Sequence, residues 1–317
     1  MRVGQNPAKS MNRVVKPERI TVAVLSYIPF LSGYYSESLD VLKLCLDSIY
    51  ENTSLLFDLF VFDNGSCNEV KEYLIEEQIR GAIQYLLFSR KNLGKGGAWN
   101  IIFDGAPGEV IAYCDGDALF YTGWLEKSME ILEKYPKVGM VTARPMRTNT
   151  ELFTSTLKWA QSEKSVQLEK GSFIPFDEFH DFASTMGYSE EKIDEIYQST
   201  TDYRLTYKGV KAFAGANHFQ FIGWKKTLQS LLPLDMQKPI GQVKQLDEKL
   251  NQKGYLRLMT AQPLVQNMSN RVPVGKKEVL AIQKPKEKKP ISIKQFPVLK
   301  KGLLGIYDKI FRMYYEE

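Results

Sequence analysis

The sequence predicts an α/β protein: a mostly parallel, Rossmann-type sheet flanked by helices. Three observations predict it. Short apolar runs alternate with segments of helical spacing, the runs are rich in β-branched residues, and the early ones each stop at a polar or acidic turn.

The first run, Ile20-Thr-Val-Ala-Val-Leu25, has the composition of a buried parallel strand and ends at Ser26-Tyr27. Ser38, read as a capping serine, precedes Leu39, Leu42, Leu46 and Ile49, which recur at helical spacing. Leu59-Phe-Val-Phe62 is the second strand, stopping at Asp63-Asn-Gly-Ser66. A helix over about 68–79 and a third strand, Ile83–Phe88, follow. Then Asn92-Leu-Gly-Lys-Gly-Gly-Ala-Trp-Asn100 reads as a glycine-rich loop running into a helix.

The fourth strand, Val110–Tyr113, stops at Asp115-Gly-Asp117. A helix from Trp124 to Tyr135 and a strand, Val138–Thr142, continue the alternation. Residues 149–205 break the rhythm: they are Ser/Thr-rich and acidic, with helices expected near 150–162 and 189–198. They read as an insertion covering one edge of the site. Phe213–Ile222 reads as a strand, Val243–Gln252 as a helix with Leu246 and Leu250 on one face, and Tyr255–Met259 as a further strand.

Composition narrows the function classes. The chain has 317 residues, 44% of them apolar, which is ample for a core. No stretch reaches the length of a membrane span, and the first residues lack the apolar core of a signal peptide. Three cysteines (Cys45, Cys67 and Cys114) suit a reducing compartment, so a cytoplasmic location is expected. From Arg271 onward there are twelve Lys or Arg against five Asp or Glu, a net of +7. Since the whole chain carries +5, residues 1–270 carry about −2. The basic character belongs to the tail, and no nucleic-acid partner is expected.

Two carboxylates separated by one glycine, just past a central strand, lie where open α/β sheets bind ligands. They repel unless a cation holds them, and hard oxygen ligands suit Mg2+ or Mn2+, usually shared with a diphosphate. Read alone, the tripeptide is also common turn chemistry. Asp63 can accept hydrogen bonds from a base or ribose, or close an Asx-turn. Gly94, Gly96 and Gly97 let backbone N–H groups approach a phosphate, and Lys95 adds positive charge. Lys95 is not followed by Ser or Thr, so this is no Walker loop.

Taken in order, Val22-Ala-Val-Leu-Ser-Tyr27, Val61-Phe-Asp-Asn-Gly-Ser66, Asn92–Asn100 and Tyr113–Ala118 resemble the inverting family 2 glycosyltransferases of GT-A fold. The resemblance covers roughly residues 19–145 and, less fully, 207–270. It implies a catalytic domain over 18–270, with a nucleotide-sugar half over about 18–145, the insertion over about 149–205 and an acceptor half over about 207–270. It also implies that Ser26, Asp63 and Asn92 lie against the nucleoside of a nucleotide sugar, with Tyr27, Gly94, Lys95, Gly97 and Asn100 in the same matching motifs. Asp115 would face ribose and metal, and Asp117 would be the principal metal ligand. Asp247, with Glu248 as its alternate, falls on the late helix where relatives carry the base; adjacent residues point about 100° apart, so one of them faces the site. Asn267 stands where many relatives place a metal-binding histidine. His218, one of two histidines, is a polar contact near the acceptor, although such a residue alone is more often structural.

The implied reaction is transfer of a sugar, with inversion and a divalent metal, from a nucleotide sugar to a glycan or lipid-linked acceptor. A sugar nucleotidyltransferase is the second reading; it would want a glycine-rich basic loop after the first strand, which Ser26-Tyr-Ile-Pro-Phe lacks. A non-catalytic nucleotide-sugar-binding or assembly module is the third. Residues 271–317 read as a basic linker and an amphipathic helix. Leu303, Leu304, Tyr307, Ile310, Phe311 and Tyr314 form one stripe, flanked by Lys300, Lys301, Lys309 and Arg312. Through 296–315 that helix is expected to touch either a membrane surface, at the inner face, or a protein partner.

Overall fold

The β-branched run of the first strand is buried along its length, Ile20 to Val24, as a central strand of a doubly covered sheet must be. The computed structural model describes residues 6–10, 14–236 and 243–273, and Pro17–Pro273 form one compact unit. The tail helix expected over 296–315 lies outside the described residues. No helix among the described residues is long and apolar enough to cross a membrane.

The first half runs β1 (Ile20–Ser26), α1 (Ser38–Glu51), β2 (Asp58–Asp63), α2 (Asn68–Ile79), β3 (Tyr85–Phe88), α3 (Gly94–Gly105) and β4 (Val110–Asp115). β5 (Ala118–Phe120), α4 (Trp124–Lys134), β6 (Val138–Thr142), α5 (Thr154–Ser162), β7 (Val166–Gly171), α6 (Phe176–Thr185), α7 (Glu190–Ser199) and β8 (Asp202–Tyr207) follow. The chain then forms β9 (Val210–Ala214), β10 (Gln220–Trp224), α8 (Lys225–Gln229), α9 (Val243–Gln252), β11 (Leu256–Met259) and β12 (Val265–Asn267).

Ten of these strands form one sheet in the order β3-β2-β1-β4-β10-β6-β11-β9-β8-β7. The first four are parallel, as the alternation of strands and helices requires, and β10 enters antiparallel beside β4. In register, Ser26 lies beside Asp63 and Leu25 beside Asp115, so the ends of β1, β2 and β4 share one rim. A small antiparallel pair, β5 with β12, sets Asn267 opposite Ala118, the residue after Asp117.

Both faces of the sheet are covered. α1 turns Val41, Leu42, Cys45, Leu46 and Ile49 inward. On one core face Trp99 and Phe103 of α3 pack with Tyr113, Phe221, Leu246 and Leu250. Trp99 and Phe103 stack with ring centroids 5.9 Å apart, and removing such a fully buried aromatic typically costs about 3–5 kcal/mol.

The short elements β5, α8 and β12 were not expected, and the structure differs from the expected elements at four further places. Ser38 is the first residue of α1 rather than a cap: Glu37 precedes the helix, and no side-chain capping bond is made. The glycines of 94–97 are not loop but the first turn of α3, which opens on Gly94 in the left-handed region at φ +66°. The run Phe213–Ile222 is two strands, β9 and β10, broken where Gly215 takes φ +123°. Finally, 149–205 adds α6 and the strands β7 and β8 to its two expected helices. β7 is an edge strand with no fully buried residue, so its sequence carries little of the apolar alternation that marks a strand.

Candidate functional site

The rim at the carboxyl ends of β1, β2 and β4 opens into a cavity of about 470 Å³. Leu25, Ser26 and Tyr27 line it from β1, Asn64 from the β2 turn, and Asn92, Gly94 and Lys95 from the entry to α3. Asp115, Gly116 and Asp117 form its floor, and Tyr34, Tyr35, Ser269 and Asn270 its outer wall.

Backbone geometry builds this rim. The Asn64 N–H donates to the Ser26 carbonyl at 2.8 Å and the Ser89 N–H to the Asp63 carbonyl at 2.8 Å. The Asn64 side chain then ties the β2 turn to α3: Oδ1 accepts from the Leu93 N–H at 2.9 Å, and Nδ2 donates to Asn92 Oδ1 at 3.0 Å. Asn92 Oδ1 also accepts from the Gly94 N–H at 2.8 Å. Gly116 is small by necessity: a Cβ there would come within 3.0 Å of Leu42 and 3.3 Å of the Leu25 carbonyl.

The two aspartates are not equivalent. Asp115 is already engaged, with Oδ2 2.6 Å from Lys95 Nζ and Oδ1 accepting from the Tyr113 hydroxyl at 2.5 Å. Asp117 leaves its buried Oδ1 with no hydrogen-bond partner. Burial pushes the Asp117 carboxyl up to about 7; the neighbouring Asp115 charge adds to this and Lys95 opposes it. An orphaned carboxylate oxygen beside a second carboxylate is the donor chemistry that a hard divalent cation satisfies. Asn267 adjoins this pair, although its Oδ1 already accepts from the Ser269 N–H at 2.7 Å. Among the described residues no cluster of three or more His, Cys, Asp or Glu side chains could hold a metal, so a diphosphate and water would have to complete the shell. On these grounds the residues present fit a cation shared with a ligand.

Of the residues singled out in the sequence, Ser26, Tyr27, Asn92, Gly94, Lys95, Asp115 and Asp117 come together around the cavity. Asn267 does not line it, nor do three of the residues expected at the nucleotide: Asp63, Gly97 and Asn100. Asp63 is fully buried. Its Oδ2 closes the turn on the Ser66 N–H at 3.1 Å, while Oδ1 has no partner, and burial raises its carboxyl above the usual range. Gly97 packs under Met236. Asn100 gives its amide to the backbone of Leu234, donating to the carbonyl at 2.9 Å and accepting from the N–H at 2.7 Å. It pins the chain after α8.

Asp247 does not line this cavity. Its side chain is buried, with Oδ2 2.6 Å from His218 Nε2 and Oδ1 2.5 Å from a guanidinium nitrogen of Arg257, itself 1% exposed. Both of its oxygens thus face other side chains of the protein in this structure. Glu248, the alternate, points outward and pairs with Lys244 at 3.3 Å. Sequence reasoning missed Arg257. Its signal was a charge inside the apolar strand Leu256-Arg-Leu-Met259, where only a buried partner makes it tolerable.

A second cavity, of about 600 Å³, lies between the 149–205 segment and the loop before β10. Arg147, Thr148, Tyr188 and Asn217 are among its lining, with Phe179, Phe182 and Met186 on its apolar side. Arg147, paired with buried Asp202 at 3.0 Å, anchors that wall.

Comparison with known proteins adds the following. The model of the family described as glycosyl transferase family 2 matches residues 33–197, just over half of the chain. An uncharacterized glycosyltransferase of Nostoc sp. (strain PCC 7120) is 23% identical over 197 residues, covering 60% of this chain and 59% of the relative. An uncharacterized glycosyltransferase of Rickettsia felis is 29% identical over 89 residues, covering 28% of this chain and 14% of the relative. The chain thus spans less than two thirds of the length of either relative. Among solved structures, a mannosyltransferase of Pyrobaculum calidifontis in complex with GDP-Man and Mn2+ aligns with a TM-score of 0.47 at 16% identity, covering 79% of this chain and 56% of that one. GalNAc-T7 with UDP, GalNAc and Mn2+ aligns with a TM-score of 0.49 at 11% identity, covering 82% and 46%.

Proposed function

This chain belongs to glycosyl transferase family 2, and from that premise we propose that it transfers a sugar, with inversion, from a nucleotide sugar to an acceptor hydroxyl. One observation carries the proposal: Ser26, Asn64, Asn92, Lys95, Asp115 and Asp117, drawn from four separate segments, line a single cavity at the carboxyl edge of the sheet. Its volume of about 470 Å³ suits a small-molecule ligand of nucleotide size.

In this reading residues 18–145 hold the donor. Tyr27 and Asn64 meet the nucleoside, the first turn of α3 turns N–H groups toward the diphosphate, and Lys95 sets a positive charge beside it. Asp117 and Asp115, with Asn267 alongside, would hold Mn2+ or Mg2+. When bound, that ion supplies charge neutralisation for the departing diphosphate. Inversion follows from a single displacement at the anomeric carbon, which requires no sugar–enzyme bond. Residues 207–270 and the second cavity hold the acceptor; the aromatic side of that cavity suits a glycan ring or the first part of a lipid-linked glycan. Work in the cytoplasm, with residues 296–315 contacting the inner membrane face or a partner, belongs to the same reading.

The test is release of nucleoside diphosphate from a panel of nucleotide sugars, with Mn2+ and with chelator. Metal-dependent release that falls at least 100-fold in Asp117→Ala is the expected outcome. Release of pyrophosphate would instead mark a nucleotidyltransferase, and tight binding without turnover a non-catalytic module.

A further inference from the structure

We propose that His218, held by Asp247, is the base that takes the proton of the acceptor hydroxyl; the inference rests on the transferase reading above. Three side chains form one line. Arg257 and Asp247 are both buried, and Asp247 bridges the guanidinium, at 2.5 Å, to His218 Nε2, at 2.6 Å. A carboxylate can only accept, so Nε2 donates to it and Nδ1 is the nitrogen left for a substrate proton. The Asp247 and Arg257 side chains are each 1% exposed, whereas that of His218 is 20% exposed. Of the three, the imidazole is the group that solvent reaches.

Its location fits the task. The loop from Gly215 to Phe219 is fastened at three points. The Gly215 N–H donates to the Arg257 carbonyl at 2.9 Å, the Asn217 N–H to Thr142 Oγ1 at 2.8 Å, and the Phe219 carbonyl accepts from the Asp115 N–H at 2.7 Å. Asn217 lines the second cavity, and Phe219 is bonded to the floor of the first. His218 lies between them in sequence, next to the residue that lines the second cavity and the one that bonds Asp115. It also shares the Trp99 ring with Lys95: the His218 ring centroid is 6.2 Å from that of Trp99, and Lys95 Nζ is 5.5 Å from it. The charged group that meets the imidazole is Asp247, backed by Arg257.

The step balances without a further reagent. His218 Nδ1 takes the proton of the acceptor O–H, and the acceptor oxygen forms its bond to the anomeric carbon. The bond from that carbon to the diphosphate oxygen breaks, and its electron pair leaves with the nucleoside diphosphate, beside Lys95. The imidazolium, facing the Asp247 carboxylate, then gives its proton to solvent.

The test compares wild type with His218→Gln, using UDP or GDP with Mn2+ for binding and nucleoside diphosphate release from the sugar panel for turnover, with water as the acceptor hydroxyl. Expected are nucleoside diphosphate affinity within twofold of wild type and turnover at least 100-fold lower. A variant that turns over within threefold of wild type along the same pH profile overturns the inference and leaves the transferase reading intact. A wild type that releases no nucleoside diphosphate overturns the transferase reading itself. A second measurement does not depend on the variant folding. The chain has two histidines, and His180, paired with Glu190 on the 149–205 segment, is removed as His180→Gln. Diethylpyrocarbonate on that protein then leaves His218 as the histidine to modify; turnover should fall in step with its modification, and turnover that survives it overturns the assignment.

Discussion

At the scale of single residues, Asp117 carries the sharpest consequence. Its carboxyl, pushed up to about 7 by burial and by Asp115, holds its proton in the folded chain over a range where the unfolded chain has released it. Between about pH 4 and pH 7 the native state therefore binds more protons, and stability falls as pH rises through that window. Below it both states are protonated and the group contributes nothing; above it the full cost of an ionised, partly buried carboxylate remains. Discounted for partial exposure, the effect is about 1–3 kcal/mol. Urea unfolding of metal-free protein at several pH values should show this slope in wild type relative to Asp117→Asn. Saturating Mn2+ should remove the difference near pH 7.5, because a bound cation favours the ionised form. Equal slopes in the two proteins would refute the assignment of this environment to Asp117.

At the scale of elements, the joint between α9 and β11 ties the late helix to the sheet. Arg257 of β11 donates to the carbonyls of Leu152 and Ala216, at 3.0 and 2.9 Å, as well as meeting Asp247 of α9. Removing one member of such a pair leaves the other charged and buried, which typically costs about 3–5 kcal/mol. Asp247→Ala should lose stability by that amount in denaturant titration, whereas Asp247→Leu with Arg257→Met should recover most of it. Equal losses in both would mean that the pair acts through shape and not charge. The same joint shows what the sequence could tell. β1 and β2 were legible because their burial is written in consecutive apolar residues, and Asp115-Gly-Asp117 because a strand ends there. The burial of Asp247 was not legible: it lies one residue after Leu246 and three before Leu250, on the buried stripe of α9, and Arg257, ten positions on, is the partner that makes a buried acid tolerable there. β7 and β8 were not legible at all: β7 is an edge strand with no buried residue, and β8 buries only two of its six residues. The α3 glycines looked like a loop because their composition does not separate a turn from a helix opened by Gly94 at positive φ.

At the scale of the whole molecule, the sheet joins parts that sequence composition set apart. β7 and β8, from the Ser/Thr-rich 149–205 segment, continue the same sheet as β1 and β4 through β9, β11, β6 and β10. Pro17–Pro273 accordingly form one unit, and a ligand held at the β1–β4 edge should stabilise the acceptor side along with the donor side. A ligand that binds only the folded state at 100 times its dissociation constant adds about 2.7 kcal/mol, roughly 5–10 °C in Tm for a unit of this size. Calorimetry with Mn2+ and the matching nucleoside diphosphate should therefore show one transition moving upward as a whole, and Asp117→Ala should move far less. Two transitions, of which only the lower or only the upper responds, would mean that the 149–205 segment melts on its own. The second cavity would then be formed by a separately stable part, and donor binding at the sheet edge would have no thermodynamic hold on the acceptor side.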